Sequence, residues 1–431
     1  MRVALATLGC KVNQYDSAVI DRLVREKQWQ RVDFDEAAEA YIINTCTVTD
    51  RADADGRRLA RRARRRNPEA RVILTGCYAQ TNPAGIAALG YVDHVVGLGR
   101  LPELLSAVEG KLADRIAVSD LRRADKVETL GIESFNGRSR AFVKIQEGCD
   151  LFCTFCIVPV ARGKSRSVEP RKVIDEIELL AAGGFGEVVL TGVHLGGYGS
   201  DLAPACDLAF LLKAIAERAP KLRVRISSVD PPELTERFLG TIADNDIFCR
   251  HLHVPVQSGC DPVLGRMKRK YTAGEAAERL SAARRQMPDL CIGTDLITGF
   301  PGETEDEFAQ TVRFLEQAEL DYLHVFPYSR RSATSAAKRW SELPDHVVHE
   351  RARLVRALDR SMRRRFEDRF IGTRARVLFE NARDKETGML KGYSNNYLPL
   401  IADGPDSLMN REVTVTVTGR NAGGRLEALV A

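Results

Sequence analysis

The chain has no apolar run long enough to cross a membrane, and its ten cysteines in 431 residues fall far below the density of a disulfide-stapled scaffold. The first absence leads us to expect a soluble, cytoplasmic protein with no membrane contact. The second, with no secretory leader in sight, argues against structural disulfides. One Arg and a short apolar stretch precede Cys10; this looks at first like a lipoprotein signal but is too brief for one, and reads as a first strand. Charge is nearly balanced, at +5, so no strong field of one sign identifies a partner. With 44% apolar residues the length suits two or three domains.

What is present is concentrated. Cys149, Cys153 and Cys156 form a Cys-x3-Cys-x2-Cys run. Three thiolates on one short loop can hold three irons of a cubane cluster and leave the fourth iron open, and an open metal position can chelate a substrate. Zinc would want a fourth ligand and usually a second Cys-x2-Cys pair, yet the closest downstream histidine is His194. The run resembles the radical-SAM signature, with the aromatic Phe155 before its last cysteine. That resemblance implies an open iron holding the amino and carboxylate groups of S-adenosylmethionine.

The first 125 residues read as a small parallel α/β, Rossmann-like domain. Residues 2–8, 40–44 and 71–75 are short β-branched apolar runs, and 17–26 and 51–66 have helical spacing. Each strand ends alike, in Leu8-Gly-Cys10, Asn44-Thr-Cys46 and Thr75-Gly-Cys77. Isolated cysteines are ordinarily core filler, but parallel sheets bind ligands beyond the carboxyl ends of their strands. Cys10, Cys46 and Cys77 are therefore expected to converge on a second cluster with an open iron.

After a linker expected over 126–135, a second α/β series runs over 136–368. Strands are expected over 141–146, 187–191, 223–227, 251–256, 291–297 and 322–326, with helices over 170–182, 207–218, 273–286 and 304–317. Six βα units imply a partial (β/α)6 barrel whose working end is the loops after its strands, where the Cys149 run lies. A long Arg-rich helix over 344–370 leads to a tail, 371–431. Short strands are expected there over 374–380, 385–392, 395–401, 411–418 and 425–430, which suits a small five-stranded β-barrel of the oligonucleotide-binding kind. Such barrels bind many things, so a mere capping role competes. Residues 57–66 carry seven Arg in ten positions; a solvated helix face and an RNA phosphate contact are the competing readings.

Several stretches together carry a family resemblance over essentially the full chain. Thr7-Leu-Gly-Cys-Lys-Val-Asn-Gln-Tyr-Asp-Ser17, Thr75-Gly-Cys-Tyr-Ala-Gln80, Leu190-Thr-Gly-Val-His-Leu-Gly196, His251-Leu-His-Val-Pro-Val-Gln-Ser-Gly259, Gly293-Thr-Asp-Leu-Ile-Thr-Gly-Phe-Pro-Gly-Glu-Thr304 and His324-Val-Phe-Pro-Tyr-Ser329 resemble the radical-SAM methylthiotransferases, with a radical-SAM barrel core and a TRAM barrel at the end. The residues around Cys10 and Cys77, Lys11 to Tyr15 and Tyr78 among them, look like the MtaB type, which acts on N6-threonylcarbamoyladenosine in tRNA. The resemblance implies two 4Fe-4S clusters, held by Cys10, Cys46, Cys77 and by Cys149, Cys153, Cys156. It also implies a 5′-deoxyadenosyl radical from S-adenosylmethionine that takes the hydrogen from carbon 2 of the adenine, chemistry that belongs to cofactors. A methylated sulfur is then expected from the second cluster.

Candidate contacts for S-adenosylmethionine are strand-end residues: Thr191 and Gly192, Ser227 with Ser228, and Gln257, whose polar groups suit ribose and carboxylate. A side chain satisfying its own backbone is the competing reading for each. Gly299 is expected to permit a turn near the adenine. His251 and His253 read as core histidines, Asp295 as a polar contact, and Cys206, Cys249, Cys260 and Cys291 as structural thiols. Expected partners are the anticodon stem-loop of tRNA and an electron donor such as flavodoxin or ferredoxin; the sulfur donor is not indicated. Methylthiolation of isopentenyladenosine in tRNA or of a ribosomal protein is the alternative, and a non-catalytic iron–sulfur RNA sensor a distant one.

Overall fold

A computed structural model describes residues 1–124, 127, 131–132 and 139–430. The linker expected over 126–135 lies outside the described residues apart from 127, 131 and 132, as do the limits at 125, 136 and 431.

The first domain is a six-stranded parallel sheet of β1 (Arg2–Thr7), β2 (Gln30–Val32), β3 (Ala40–Thr45), β4 (Arg71–Gly76), β5 (His94–Val96) and β6 (Ile116–Ala117). The strand order is β2-β1-β3-β4-β5-β6. β3 is buried at every position, as a strand covered on both faces should be. Helix α1 (Lys11–Glu26) buries Val12, Tyr15, Val19, Ile20 and Val24 at helical spacing. It begins six residues before the helix expected over 17–26, because Cys10 occupies the N-cap without a side-chain cap bond and so leaves no capping signal. Helix α2 (Asp50–Arg66) is capped by Thr49 and buries mainly Gly56, Ala60 and Ala63, small residues that let it lie close on the sheet. Helix α3 (Cys77–Thr81) follows β4 directly.

In the second domain β7 (Arg140–Lys144) is followed by a small hairpin of β8 (Gln146–Glu147) and β9 (Arg166–Ser167). The parallel strands β10 (Glu187–Thr191) and β11 (Arg223–Ile226) continue from β7, and β12 (His251–His253), β13 (Cys291–Thr298) and β14 (Tyr322–Pro327) form a matching trio. Parallel bridges from Val224 to Phe248 and from Ser228 to His253 join the trios. The result is the six-stranded partial barrel, open between β7 and β14. β12 stops at His253, short of the expected 256, because Pro255 has no N–H for the ladder.

The first domain spans that opening. Asp16 on α1 pairs with Lys144 of β7 at 2.9 Å, and Tyr15 Oη donates to Glu176 at 3.3 Å. At the other edge Asp50 of α2 accepts from Arg331 at 3.0 Å and from Ser329 at 3.2 Å, just beyond β14.

The tail closes into a barrel, β15 (Arg374–Arg383), β16 (Leu390–Ser394), β17 (Pro399–Ala402), β18 (Glu412–Arg420) and β19 (Leu426–Val430), in the order β15-β16-β17-β19-β18. β16 starts later than expected because Asp384 accepts from the N–H groups of Glu386 and Thr387 and makes that stretch a turn. β17 starts only at Pro399, after a turn in which Ser394 accepts from Leu398 N–H. The barrel docks on the amino-terminal end of the larger barrel, opposite the Cys149 loop. Arg223 pairs with Glu412 at 3.0 Å, and Arg140 pairs with Glu380 at 3.1 Å while lying over the Tyr393 ring. Cys291 and Tyr322 enter the small barrel's core. Between the two, the helix Asp345–Asp368 packs on β14. Among the described residues no helix is long and apolar enough to cross a membrane.

Candidate iron–sulfur and cofactor site

Because β1, β3 and β4 are neighbours in the sheet, the residues that follow them share one edge. Cys10 caps α1, Cys46 follows β3 and Cys77 opens α3. Asn13, fully buried, ties the three loops: its Nδ2 donates to the carbonyls of Leu8 (3.0 Å) and Thr45 (2.9 Å). Its Oδ1 lies 3.6 Å from Cys10 Sγ and 3.9 Å from Cys77 Sγ. Gly9 has φ +100°, and a side chain there would bring its Cβ within 2.7 Å of Cys46 Cβ, so only glycine lets the first and second loops meet. Burial pushes the Cys77 thiol up to about 12 and raises that of Cys46. Such sulfurs become thiolates when a metal replaces their protons.

The second set lies on the loop after β8. Thr154 anchors it, its N–H donating to Met267 O at 3.1 Å and its hydroxyl to Arg266 O at 2.8 Å. Burial raises Cys149 to about 11 and Cys156 to about 12. Arg269 Nη1 approaches Cys153 Sγ at 3.4 Å, and its other end pairs with Asp230 at 2.7 Å. Gln146 braces the loop against β10: its Oε1 accepts from Val193 and His194 N–H, both at 2.9 Å, and its Nε2 donates to Gly148 O at 2.8 Å.

Beside the Cys149 set lies a cavity of about 180 Å3, which Cys156 lines. Val48 and Thr49, beyond Cys46, form one wall; Phe155 and Cys156 form another; Gln257, Asp295 and Phe326 come from the barrel strands and their ends. Val48 and Phe326 expose apolar surface at 49% and 40%, which suits a flat heteroaromatic ring. Burial opposes the charge on Asp295, but hydrogen bonds from His253 (2.7 Å) and His324 (3.3 Å) hold its carboxyl well below the usual range.

Of the expected cofactor contacts, Gln257 lines this cavity. Thr191 is buried at the end of β10, and Gly192 brings backbone close to Gln146, where a Cβ would stand 3.0 Å from Oε1. Ser227, just past β11, keeps its hydroxyl buried with no hydrogen-bond partner among the described residues. An orphaned buried hydroxyl calls for a ligand, so the residues present fit S-adenosylmethionine beside the Cys149 set. Gly299 takes a left-handed turn, φ +72°, and a Cβ there would stand 2.7 Å from Val348 of the helix Asp345–Asp368. His251 and His253 are buried and share the Tyr322 hydroxyl, at 2.9 and 3.0 Å.

Sequence reasoning missed a buried charge network between the two cysteine sets. Arg162, 2% exposed, pairs with Glu147 and with Asp16 (2.9 Å), and donates to Asn13 Oδ1 at 2.8 Å; Lys144 also reaches Asp16 and Glu147. Asn13, three residues after Cys10, could have been suspected from its place one helical turn on. Arg162 and Asp16 lie 146 positions apart, and no local signal connects them.

Much of the Arg-rich face of α2 is paired within its own domain. Arg62 and Arg66 pair with Asp35, and Arg64 holds Asp93 and the Ala70 carbonyl. Arg58 pairs with Asp55 one turn before it and Arg61 lies over the Tyr91 ring, yet both stay exposed, as does Arg65.

Residues 143–315 match the Radical SAM superfamily and residues 2–97 the Uncharacterized protein family UPF0004. A threonylcarbamoyladenosine tRNA methylthiotransferase MtaB of Bacillus subtilis (strain 168) is 39% identical over 421 residues, covering 96% of this chain and 93% of that one. The protein of the same name from Aquifex aeolicus (strain VF5) is 39% identical, covering 88% and 92%. A tRNA-2-methylthio-N(6)-dimethylallyladenosine synthase of Syntrophotalea carbinolica is 33% identical, covering 96% of each. Among solved structures, the radical S-adenosylmethionine methyltransferase TsrM from Kitasatospora setae, with cobalamin and a [4Fe-4S] cluster bound, has a TM-score of 0.57 at 18% identity, covering 78% of this chain and 77% of that one. That likeness is one of fold.

Proposed function

The chain belongs to the radical-SAM methylthiotransferases of the MtaB type, and we propose that it methylthiolates carbon 2 of N6-threonylcarbamoyladenosine beside the anticodon of tRNA. The observation that carries this reading is the pair of three-cysteine sets, one from each domain, whose loops Asn13 and Arg162 join, with an apolar-walled cavity beside Cys156. Higher identity to threonylcarbamoyladenosine enzymes than to a dimethylallyladenosine synthase favours this substrate over the isopentenyl one.

Two 4Fe-4S clusters, on Cys10, Cys46, Cys77 and on Cys149, Cys153, Cys156, with S-adenosylmethionine at the second, would supply the radical chemistry that an unactivated aromatic C–H demands. The chain's own residues do the placement. Val48, Phe155 and Phe326 offer apolar walls to the adenine. Thr191, Ser227 and Gln257 offer polar groups to the cofactor, with Gly192 allowing close approach. Asn13 and Arg162 hold the loops of both sets in register. We assign residues 1–125 to the sulfur-delivering cluster, 136–368 to the radical core and 371–431, with the exposed arginines of α2, to RNA phosphate contact. Electrons from a flavodoxin or ferredoxin and a cytoplasmic setting complete the proposal.

The test is anaerobic incubation of the reconstituted protein with reductant, S-adenosylmethionine and tRNA bearing threonylcarbamoyladenosine, followed by nucleoside mass spectrometry. Gain of one methylthio group on that nucleoside is expected. Modification of dimethylallyladenosine instead would refute the substrate assignment.

A further inference from the structure

The helix Asp261–Met267 ends at a left-handed residue, Lys268 with φ +63°, and the turn it makes brings Arg269 beside the Cys149 loop. Thr154 ties the loop to this turn twice, through the carbonyls of Arg266 and Met267, so the fold fixes their spacing. The Arg269 side chain is only 6% exposed. A guanidinium that deep needs partners for its donors and its charge.

It has four. Nε donates to Tyr271 Oη at 2.9 Å, Nη2 to the Pro255 carbonyl at 3.3 Å and to Asp230 at 2.7 Å, and Nη1 to Cys153 Sγ at 3.4 Å. Tyr271 is itself held by the carbonyls of Pro255 and Val256. Asp230 is held through its N–H by Glu233, which is hydrogen-bonded to His194 at 2.6 Å. Three partners thus belong to a braced part of the barrel and aim the remaining N–H at a cysteine sulfur. A neutral thiol is a weak acceptor, whereas a thiolate makes the same contact charge-assisted.

We infer that Arg269 sets the reduction potential of the cluster at the Cys149 set through its hydrogen bond and positive field at Cys153. The inference rests on the reading of that set given above. Reduction adds one electron, delivered by the one-electron carrier proposed there, and with it one negative charge shared with the cysteine sulfurs. A buried cation at one sulfur favours the form richer in negative charge, and hydrogen bonds to the sulfurs and net charge are what tune such clusters. Asp230 works against the guanidinium, because its carboxylate cancels part of that field. The two residues therefore act on the potential with opposite sign.

The experiment is a redox titration of the reconstituted full chain, without S-adenosylmethionine, followed by electron paramagnetic resonance; the signal of the Cys149 set is the one that Cys153→Ala lacks. Arg269→Gln should make reduction about 10- to 100-fold less favourable, the range of one charge-assisted hydrogen bond, which lowers the potential by about 60 to 120 mV at about 59 mV per tenfold for one electron. Arg269→Lys should fall between wild type and Arg269→Gln. Asp230→Asn, which leaves Arg269 an acceptor but removes the negative charge, should raise the potential. An unchanged potential in Arg269→Gln and Asp230→Asn would overturn the inference, as would a fall in both. An unchanged potential with weakened S-adenosylmethionine binding would overturn it too and assign Arg269 to the cofactor. Should Arg269→Gln not take up iron, Asp230→Asn decides alone, and the absence of a rise overturns the inference. If Cys153→Ala keeps every signal and the full iron load, the reading of the Cys149 set falls and the inference with it; a signal that is present but unmoved by the variants strikes the inference alone.

Discussion

Arg162 Nη2 lies 2.8 Å from Asn13 Oδ1, joining the helix after the Cys149 loop to the residue that ties together the loops of Cys10, Cys46 and Cys77. The contact is buried and continues into Asp16 and Glu147. Removing Arg162 would leave those buried carboxylates to Lys144 and the neighbouring Arg166, a change of the kind that costs about 3 to 5 kcal/mol. Arg162→Gln should lower the denaturation midpoint of the metal-free protein and loosen protease resistance between α1 and β7. A midpoint within error of wild type would assign the network no part in holding the domains together.

Two cysteine sets predict separable losses. Four irons per set give about eight irons per chain; the triple variant C10A/C46A/C77A should hold half the wild-type load, read by anaerobic iron and sulfide analysis. An undiminished load would contradict a cluster on that edge of the sheet.

The sets also differ in what they do. Cys153→Ala should fail to form 5′-deoxyadenosine from S-adenosylmethionine, whereas Cys46→Ala should form it while adding no methylthio group. Equal cleavage by both variants would contradict the division of labour.

Glu176 gives a pH dependence. Burial raises its carboxyl from 4.5 to about 7, where it meets Tyr15 Oη and Ile132 N–H. Between those values the folded chain retains a proton the unfolded chain has released, so stability falls as pH rises through the window and the loss is complete above about 7. Glu176→Gln should therefore stabilise the protein at about pH 8 by up to about 3 kcal/mol, and little at about pH 4.5. Equal effects at both pH values would rule out the raised carboxyl.

The exposed arginines of α2 should show in salt dependence. Changing Arg58, Arg61 and Arg65 to Gln preserves helix propensity and should weaken tRNA binding, lowering the slope of log affinity against log salt by up to about 2. Removing residues 372–431 should weaken binding as well. If neither variant shifts affinity or slope, α2 is a solvated face and the tail a cap.

What was legible in the sequence were features with local signatures. The strand ends at Leu8, Asn44 and Thr75 announced that Cys10, Cys46 and Cys77 would meet, because parallel strands place their carboxyl ends together. β-Branched runs marked the main strands. Short ones such as Gln30–Val32 and His94–Val96 carried too few residues for a period to register. The Arg-rich run suggested RNA, yet Arg62, Arg64 and Arg66 proved to be engaged within their own domain, since partners distant in sequence decide whether an arginine is free. Arg162 and Arg269 were invisible for the same reason. Ser227 was readable as a strand-end hydroxyl, but its missing partner belongs to the fold.

The central claim is tested most directly by nucleoside mass spectrometry of tRNA from a strain lacking this gene, complemented with the wild-type or the Cys46→Ala sequence. The account predicts that the methylthio form of threonylcarbamoyladenosine disappears on deletion, returns with wild type and stays absent with Cys46→Ala, while the unmodified nucleoside accumulates. Persistence of the methylthio form in the deletion strain, or its restoration by Cys46→Ala, would contradict it.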